Sequence, residues 1–200
     1  MYVLGIVGGV ASGKSAVAAE FARLGAVVLD ADQVGHEVLR DTEVIAAFRQ
    51  RWGDDVIGPD GQVVRRAVAQ RVFGDGPEQV REREFLDSVA HPRIGRLLSQ
   101  RVDELRAAGT SVAVIDAALL YETAWNRLCN GVAFVDVPLD LRRQRALDRR
   151  WSAQQFAARE ASQWSVEDKK SRAQWVIDNG GGMDLLPAQV ERIWSQITEA

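Results

Sequence analysis

Apolar residues follow two rhythms along this chain. Short unbroken runs, Val3-Leu4-Gly5-Ile6-Val7, Ala26-Val27-Val28-Leu29, Val112-Ala113-Val114-Ile115 and Val132-Ala133-Phe134-Val135, alternate with stretches whose apolar positions recur three and four apart. Unbroken runs rich in β-branched residues suit strands covered on both faces, and the wider spacing is one face of a helix. Their alternation predicts an α/β fold with a parallel sheet covered on both sides.

The helical stretches divide unevenly. Val17, Phe21 and Leu24 form one stripe that Gly25 ends. From Val34 to Gly109 the pattern is mostly helical, broken by turn signals at Trp52-Gly53-Asp54 and Gly58-Pro59-Asp60-Gly61, and reads as an inserted helical subdomain. Inside it, Val68, Val72 and Phe73 are expected on one apolar face, and Ile94, Leu97, Leu98, Val102 and Leu105 on another. His91-Pro92 interrupts that second stretch, so a kink or a new helix start is expected there. Ser152 through Arg172 is polar and helical with turn chemistry at Ser165, the pattern of a mobile cover. A short strand over Gln174–Asp178 leaves through Gly180-Gly181-Gly182, and Leu186, Val190, Ile193, Trp194 and Ile197 make a closing amphipathic helix.

Composition narrows the class. A 200-residue chain with 46% hydrophobic and 26% charged residues supports one core with room for an insert. A net charge of -3 gives no general attraction to nucleic acid or an anionic membrane, so any basic site is local. No apolar run approaches the roughly 20 residues that span a bilayer. Cys129 is the single cysteine, which excludes an internal disulfide and suits a reducing cytoplasm. The oligomeric state stays open.

The strongest chemical signal is Gly8-Gly9-Val10-Ala11-Ser12-Gly13-Lys14-Ser15, which fits G-x-x-x-x-G-K-[ST] directly after the first strand run. Glycines let successive N–H groups surround a phosphate, Lys14 adds positive charge, and a helix starting near Lys14 aims its dipole at the same anion. The Ser15 hydroxyl is placed for a phosphate-bound magnesium ion. A nucleoside triphosphate is the expected ligand.

Parallel strands deliver their C-terminal ends to the side of that loop. The second strand run ends in Asp30-Ala31-Asp32 and the third in Asp116, so carboxylates gather at one edge. After the fourth strand, Arg142, Arg143, Arg145, Arg149 and Arg150 stand against Asp140 and Asp148. Such a run is ordinarily a solvated face, but Arg145 and Arg149 share one face just past a strand end, which suits clamping of phosphates. His36 has no companion signal and reads as structural.

The loop alone is shared by kinases, switch GTPases and motor ATPases. The N-K-x-D base-reading motif of a switch GTPase is missing, and the third strand ends Asp116-Ala117 where a motor ATPase usually has an acidic pair. A small-molecule kinase accounts for more: an insert after the second strand for the acceptor, and an arginine-rich segment closing over ATP to exclude water. An acceptor such as a nucleoside monophosphate, or a regulatory module that binds ATP without transfer, stays open on these grounds.

Taken together the motifs resemble the dephospho-CoA kinase family. The series runs through the Gly8–Ser15 loop, Asp30-Ala31-Asp32, Gly61 to Arg65, Arg71-Val72-Phe73, His91-Pro92, Asp116 to Glu122, Arg145, Arg149, Arg159 with Gln163, Lys169 and Ile177-Asp178-Asn179. The resemblance implies a P-loop kinase fold: a five-stranded parallel sheet flanked by helices in a core of residues 1–33, 110–138 and 173–200, a helical acceptor-binding insert over 34–109, and an arginine-bearing lid over 139–172. It implies ATP and magnesium as cofactors and phosphorylation of the ribose 3′-hydroxyl of dephospho-CoA, with no nucleic acid or membrane partner. Gly9, Val10, Ala11, Ser12, Gly13, Lys14, Ser15 and Ala16 would hold the donor phosphates, Ser15 the metal, and Asn179 would lie near adenine. Asp32 would be the general base, with Lys14, Arg145 and Arg149 stabilising transferred charge. Arg65, His91, Pro92, Leu119 and Glu122 would join Asp32 in binding the acceptor. The chain departs from the family pattern at Ala118, where proline is common, at Gln174, where aspartate is common, and around Arg150-Trp151, where a glycine is often found.

Overall fold

Strand β1, Tyr2–Gly8, is apolar almost throughout because it runs through the middle of a sheet. The computed structural model describes residues 1–74, 76–181 and 185–199. In it β1 pairs in parallel with β3, Val112–Asp116, on one side and β4, Gly131–Asp136, on the other. Strands β2, Val27–Asp30, and β5, Trp175–Asp178, complete an all-parallel five-stranded sheet of order β2-β3-β1-β4-β5. From β1 the chain moves outward first to one side and later to the other. The loop after β1 therefore stands at the switch point, where such sheets open a crevice at the carboxyl ends of their strands.

Helices α1, Lys14–Arg23, and α9, Leu186–Thr198, bring Val17, Phe21, Val190, Ile193 and Ile197 into one core with Leu4, Ile6, Val114, Val135 and Ile177. Burying one such side chain fully stabilises the fold by about 1.5–3 kcal/mol. Gly182, part of the expected loop before α9, lies outside the described residues.

The chain divides into two compact units, Met1–Asp30 with the chain from Ser99 on, and Ala31–Leu98. The second unit contains α2, Ala31–Val38, α3, Thr42–Trp52, and α4, Arg65–Val72, and receives the first part of α5, Pro77–Ala107. Asp41 caps α3 by accepting the Glu43 N–H at 2.8 Å. Phe48, Trp52 and Phe85 meet ring to ring, with centroids 4.7 Å apart for Phe48–Trp52 and 5.2 Å for Trp52–Phe85.

One expectation for this unit fails and another fails in part. Phe73 is 61% exposed, while Val68 and Val72 are buried. It is the C-cap of α4 with extended φ −92° and ψ 127°, so the helical periodicity stops one residue before it. Of the kink or new helix start expected at His91-Pro92, the new start does not occur, because Pro92 lies inside α5. A proline there costs about 3 kcal/mol by removing one hydrogen bond and crowding the preceding turn. The stripe Ala90, Ile94, Leu98 and Val102 is buried without interruption across it, and that continuous burial carries the helix through.

After β4 come α6, Leu139–Asp148, α7, Ala153–Ala161, and α8, Val166–Arg172. Ser152 and Gln155 form a reciprocal capping box at α7, and Ser165 caps α8, where the turn was expected. Among the described residues no helix is long and apolar enough to cross a membrane.

Candidate active site

The loop between β1 and α1 turns through two left-handed residues, Ala11 at φ 59° and Gly13 at φ 86°. Glycine takes that conformation freely, whereas alanine pays about 1–2 kcal/mol, so the Ala11 geometry must be held by its surroundings. Gly13 is the N-cap of α1 and has no side chain to occupy the helix end; the first turn carries no acidic residue. Amides and dipole together favour an anion at this point. Lys14 is half-buried, and Ser15 and Ala16 are exposed beside it.

The Ser15 hydroxyl donates to Asp116 Oδ2 at 2.9 Å. Asp116 ends β3 and is only 9% exposed, and in the sheet register it faces Asp30 at the end of β2. A hydroxyl and a carboxylate at the mouth of a phosphate loop are the hard oxygen donors that magnesium takes together with phosphate oxygens and water. The residues present therefore fit such an ion.

Side chains from the second half of the chain grip the loop backbone. Asn179 Nδ2 donates to the Ser12 carbonyl at 2.8 Å, and Arg145 donates to the same carbonyl at 3.2 Å and to the Asn179 carbonyl at 2.8 Å. Arg142 and Glu160 form an ion pair of 2.6 Å beside Val10. Val10 and Ala11 also pack with Ala146 of α6 and Phe156 of α7 in a small apolar cluster edged by Trp151. Helices α6 and α7 are thus docked on the loop itself.

Arg149 is exposed at the C-cap of α6. Beyond it Arg150 takes φ 62°, donating to Leu147 O at 2.7 Å, while Trp151 donates to Ala146 O at 3.0 Å. This is the two-bond helix terminus that normally uses glycine in the left-handed position. The chain keeps the turn although an arginine occupies it.

The departure at Gln174 also has a local explanation, and nothing in the structure explains Ala118. Gln174 Oε1 accepts the Val132 N–H at 2.9 Å, supplying the acceptor at the start of β4. Lys169, 1% exposed, donates to the Ala118 carbonyl at 2.7 Å and to Gln163 at 2.9 Å, and pairs with Glu122 at 2.9 Å. The same Glu122 oxygen accepts the Trp164 N–H at 2.8 Å. One Glu122 oxygen thus ties the loop after β3 to α8, and its Oε2 is buried without a hydrogen-bond partner among the described residues. Leu119 is half-buried in that loop.

The remaining predicted residues belong to the second unit. Asp32 is exposed in the first turn of α2, two residues past the end of β2, and Arg65 is exposed at the start of α4. His91 Nε2 lies 3.3 Å from Asp87 one helical turn earlier in α5, and Pro92 is exposed beside it. Burial pushes the Asp87 carboxyl above the ordinary carboxylate range, against the pull of His91 and Arg83.

Reading the arginine run as one surface missed Arg142, which is 3% exposed while Arg143, Arg149 and Arg150 face solvent. Its signal is positional: it stands four residues before Ala146, on the narrow buried face of α6. Glu160 carried a similar mark, being the single acid of α7 and four residues after the buried Phe156.

Comparison with known proteins finds relatives along nearly the whole chain. The dephospho-CoA kinase family model matches residues 2–184. A dephospho-CoA kinase of Geobacter sulfurreducens is 39% identical over 199 residues, covering 98% of each chain. One from Symbiobacterium thermophilum is 35% identical over 196 residues, 97% of this chain and 80% of that one. Among solved structures, a Thermus thermophilus protein aligns at TM-score 0.79 with 30% identity, covering 98% of each chain. A Campylobacter jejuni dephospho-CoA kinase, 18% identical, shares the fold at TM-score 0.68 over 99% of this chain and 98% of its own.

Proposed function

The chain belongs to the dephospho-CoA kinase family, and on that premise we propose that it transfers the γ-phosphoryl group of ATP to the ribose 3′-hydroxyl of dephospho-CoA, forming coenzyme A. The observation that carries this reading is the phosphate loop at the sheet's switch point, with Ser15 bonded to Asp116 at its mouth. A nucleoside monophosphate acceptor, or ATP binding without transfer, is not favoured by the family match.

In this reading the amides from Gly9 to Ala16 surround the donor phosphates, and Lys14 neutralises the β- and γ-phosphates. Ser15 and Asp116 would hold magnesium, which supplies charge neutralisation for the triphosphate. Asn179, bonded to Ser12, borders the adenine. Asp32 takes the proton from the attacking hydroxyl, while Arg65, His91, Pro92, Leu119 and Glu122 serve the acceptor. Arg145 stands at the loop through its Ser12 bond and, with Arg149, stabilises charge on the group in transit. The segment 139–172 excludes water, the competing acceptor. The insert 34–109 acts as the acceptor-binding part, 139–172 as the lid, and residues 1–33, 110–138 and 173–200 as the kinase core.

We place the reaction in a reducing cytoplasm, where Cys129 stays a thiol; burial pushes its pKa up to about 12. The protein incubated with ATP, magnesium and dephospho-CoA forms coenzyme A, detected by chromatography. Absence of product from folded protein that binds ATP would reject the assignment.

A further inference from the structure

We infer that the buried Arg142–Glu160 pair is a positioning device that sets the shape of the phosphate loop for the triphosphate. The inference rests on the donor-site reading above.

Both hydrogen-bonding groups of Val10 are held by this one pair. The Val10 N–H donates to Glu160 Oε1 at 3.0 Å, and Arg142 Nη1 donates to the Val10 carbonyl at 3.3 Å. The same Nη1 donates to the same Glu160 oxygen at 2.6 Å, closing the triangle. Arg142 is anchored in turn by Nε to the Val137 carbonyl at 3.2 Å, just past β4, and its guanidinium lies 5.8 Å from the Phe156 ring centroid. Gripping the N–H and C=O of one residue orients the two peptide planes on either side of it. The second of those planes carries the amide of Ala11, the left-handed residue that must be held.

Packing points the same way. A Cβ on Gly9 would stand 2.6 Å from Arg142 Nη1 and 2.8 Å from its Cζ. Gly9 is therefore glycine because the guanidinium lies against the loop. Arg145, one turn along α6, takes the Ser12 carbonyl. Two arginines of one helix thus seat alternate carbonyls of the loop.

Holding α6 to α7 does not require charge. A buried ion pair loses much hydration, and apolar side chains of similar size usually pack two helices at least as well. The pair's distinctive property is its set of polar contacts to Val10. A carboxylate beside a phosphate site would also repel the ligand, and Arg142 neutralises it.

The double variant Arg142→Met with Glu160→Leu separates positioning from packing. It is read by its melting temperature and by calorimetric ATP affinity without acceptor. We expect melting within a few degrees of the parent, ATP binding at least fivefold weaker, and KM for dephospho-CoA within twofold. Parental ATP affinity in the folded double variant overturns the inference. Should it fail to fold, Glu160→Ala is read by the ratio of KM for ATP to KM for dephospho-CoA. A fivefold rise in that ratio supports positioning, and an unchanged ratio overturns it. Failure of the parent itself to bind ATP would instead remove the donor-site reading on which the inference stands.

Discussion

Polar side chains do different things in the two units. Around the phosphate loop they come from far along the chain and end on backbone atoms: Glu160 reaches Val10 across 150 residues and Asn179 reaches Ser12 across 167. In residues 31–98 their backbone bonds stay local, as from Arg83 to the Val72 and Gly74 carbonyls, and others form surface pairs, as Arg49–Asp54 does with side chains 51% and 87% exposed. Exposed pairs contribute about 0–1 kcal/mol, while removing one partner of a buried pair costs about 3–5 kcal/mol. The donor side is therefore built with its loop already shaped. The insert takes its stability from apolar stripes and the Phe48-Trp52-Phe85 cluster, which leaves its surface charges for other work.

This contrast can be broken at several points. The largest effect is expected from Asp32→Asn, which should lower kcat by roughly 10²–10⁴-fold with calorimetric ATP affinity unchanged. Near-parental turnover would take the base away from Asp32. Next, Lys169→Met strands the Glu122 carboxylate and should cost about 3–5 kcal/mol in urea unfolding, against less than about 1 kcal/mol for Arg49→Ala. Equal costs would erase the distinction between the two units. Arg150→Gly relieves a left-handed arginine and should stabilise the chain by about 1 kcal/mol, a melting shift of about 2–4 °C. No shift would mean the α6 terminus is not strained.

The smallest effect concerns pH. Arg51, then the Trp52 indole N–H at 2.6 Å, hold the Glu82 carboxyl below its ordinary range. A depressed carboxyl stabilises the fold above its unfolded pKa of about 4.3, and that contribution is lost as pH falls through the folded value. Glu82→Gln should flatten this part of the acid unfolding curve. An unchanged acid slope would count against the Arg51–Glu82 contact as a source of acid sensitivity.

Much of the molecule was readable in order along the chain. The runs at β1, β3 and β4 and the loop at Gly8–Ser15 are local signals, because strand burial and phosphate binding each demand a residue pattern within one stretch. Phe73, and the new helix start allowed at Pro92, misled for a related reason: periodicity gives no warning that a helix ends one residue early, and proline chemistry does not register a buried stripe continuing past it. Arg142 was hidden among arginines because residue type alone does not separate a solvated guanidinium from one lying against a peptide plane.

The sequence by itself determined the alternation of strands and helices, the phosphate loop, the carboxylates at strand ends and the family to which they belong, since each is written in contiguous residues or fixed spacing. Only the tertiary structure decided what holds the loop. Strand order brings β4 beside β1 and β5 beside β4, and so delivers α6, α7 and Asn179 to the turn after β1. The bond between Val10 and Glu160 is written in no contiguous stretch, because it depends on where two distant segments are brought together around the sheet core.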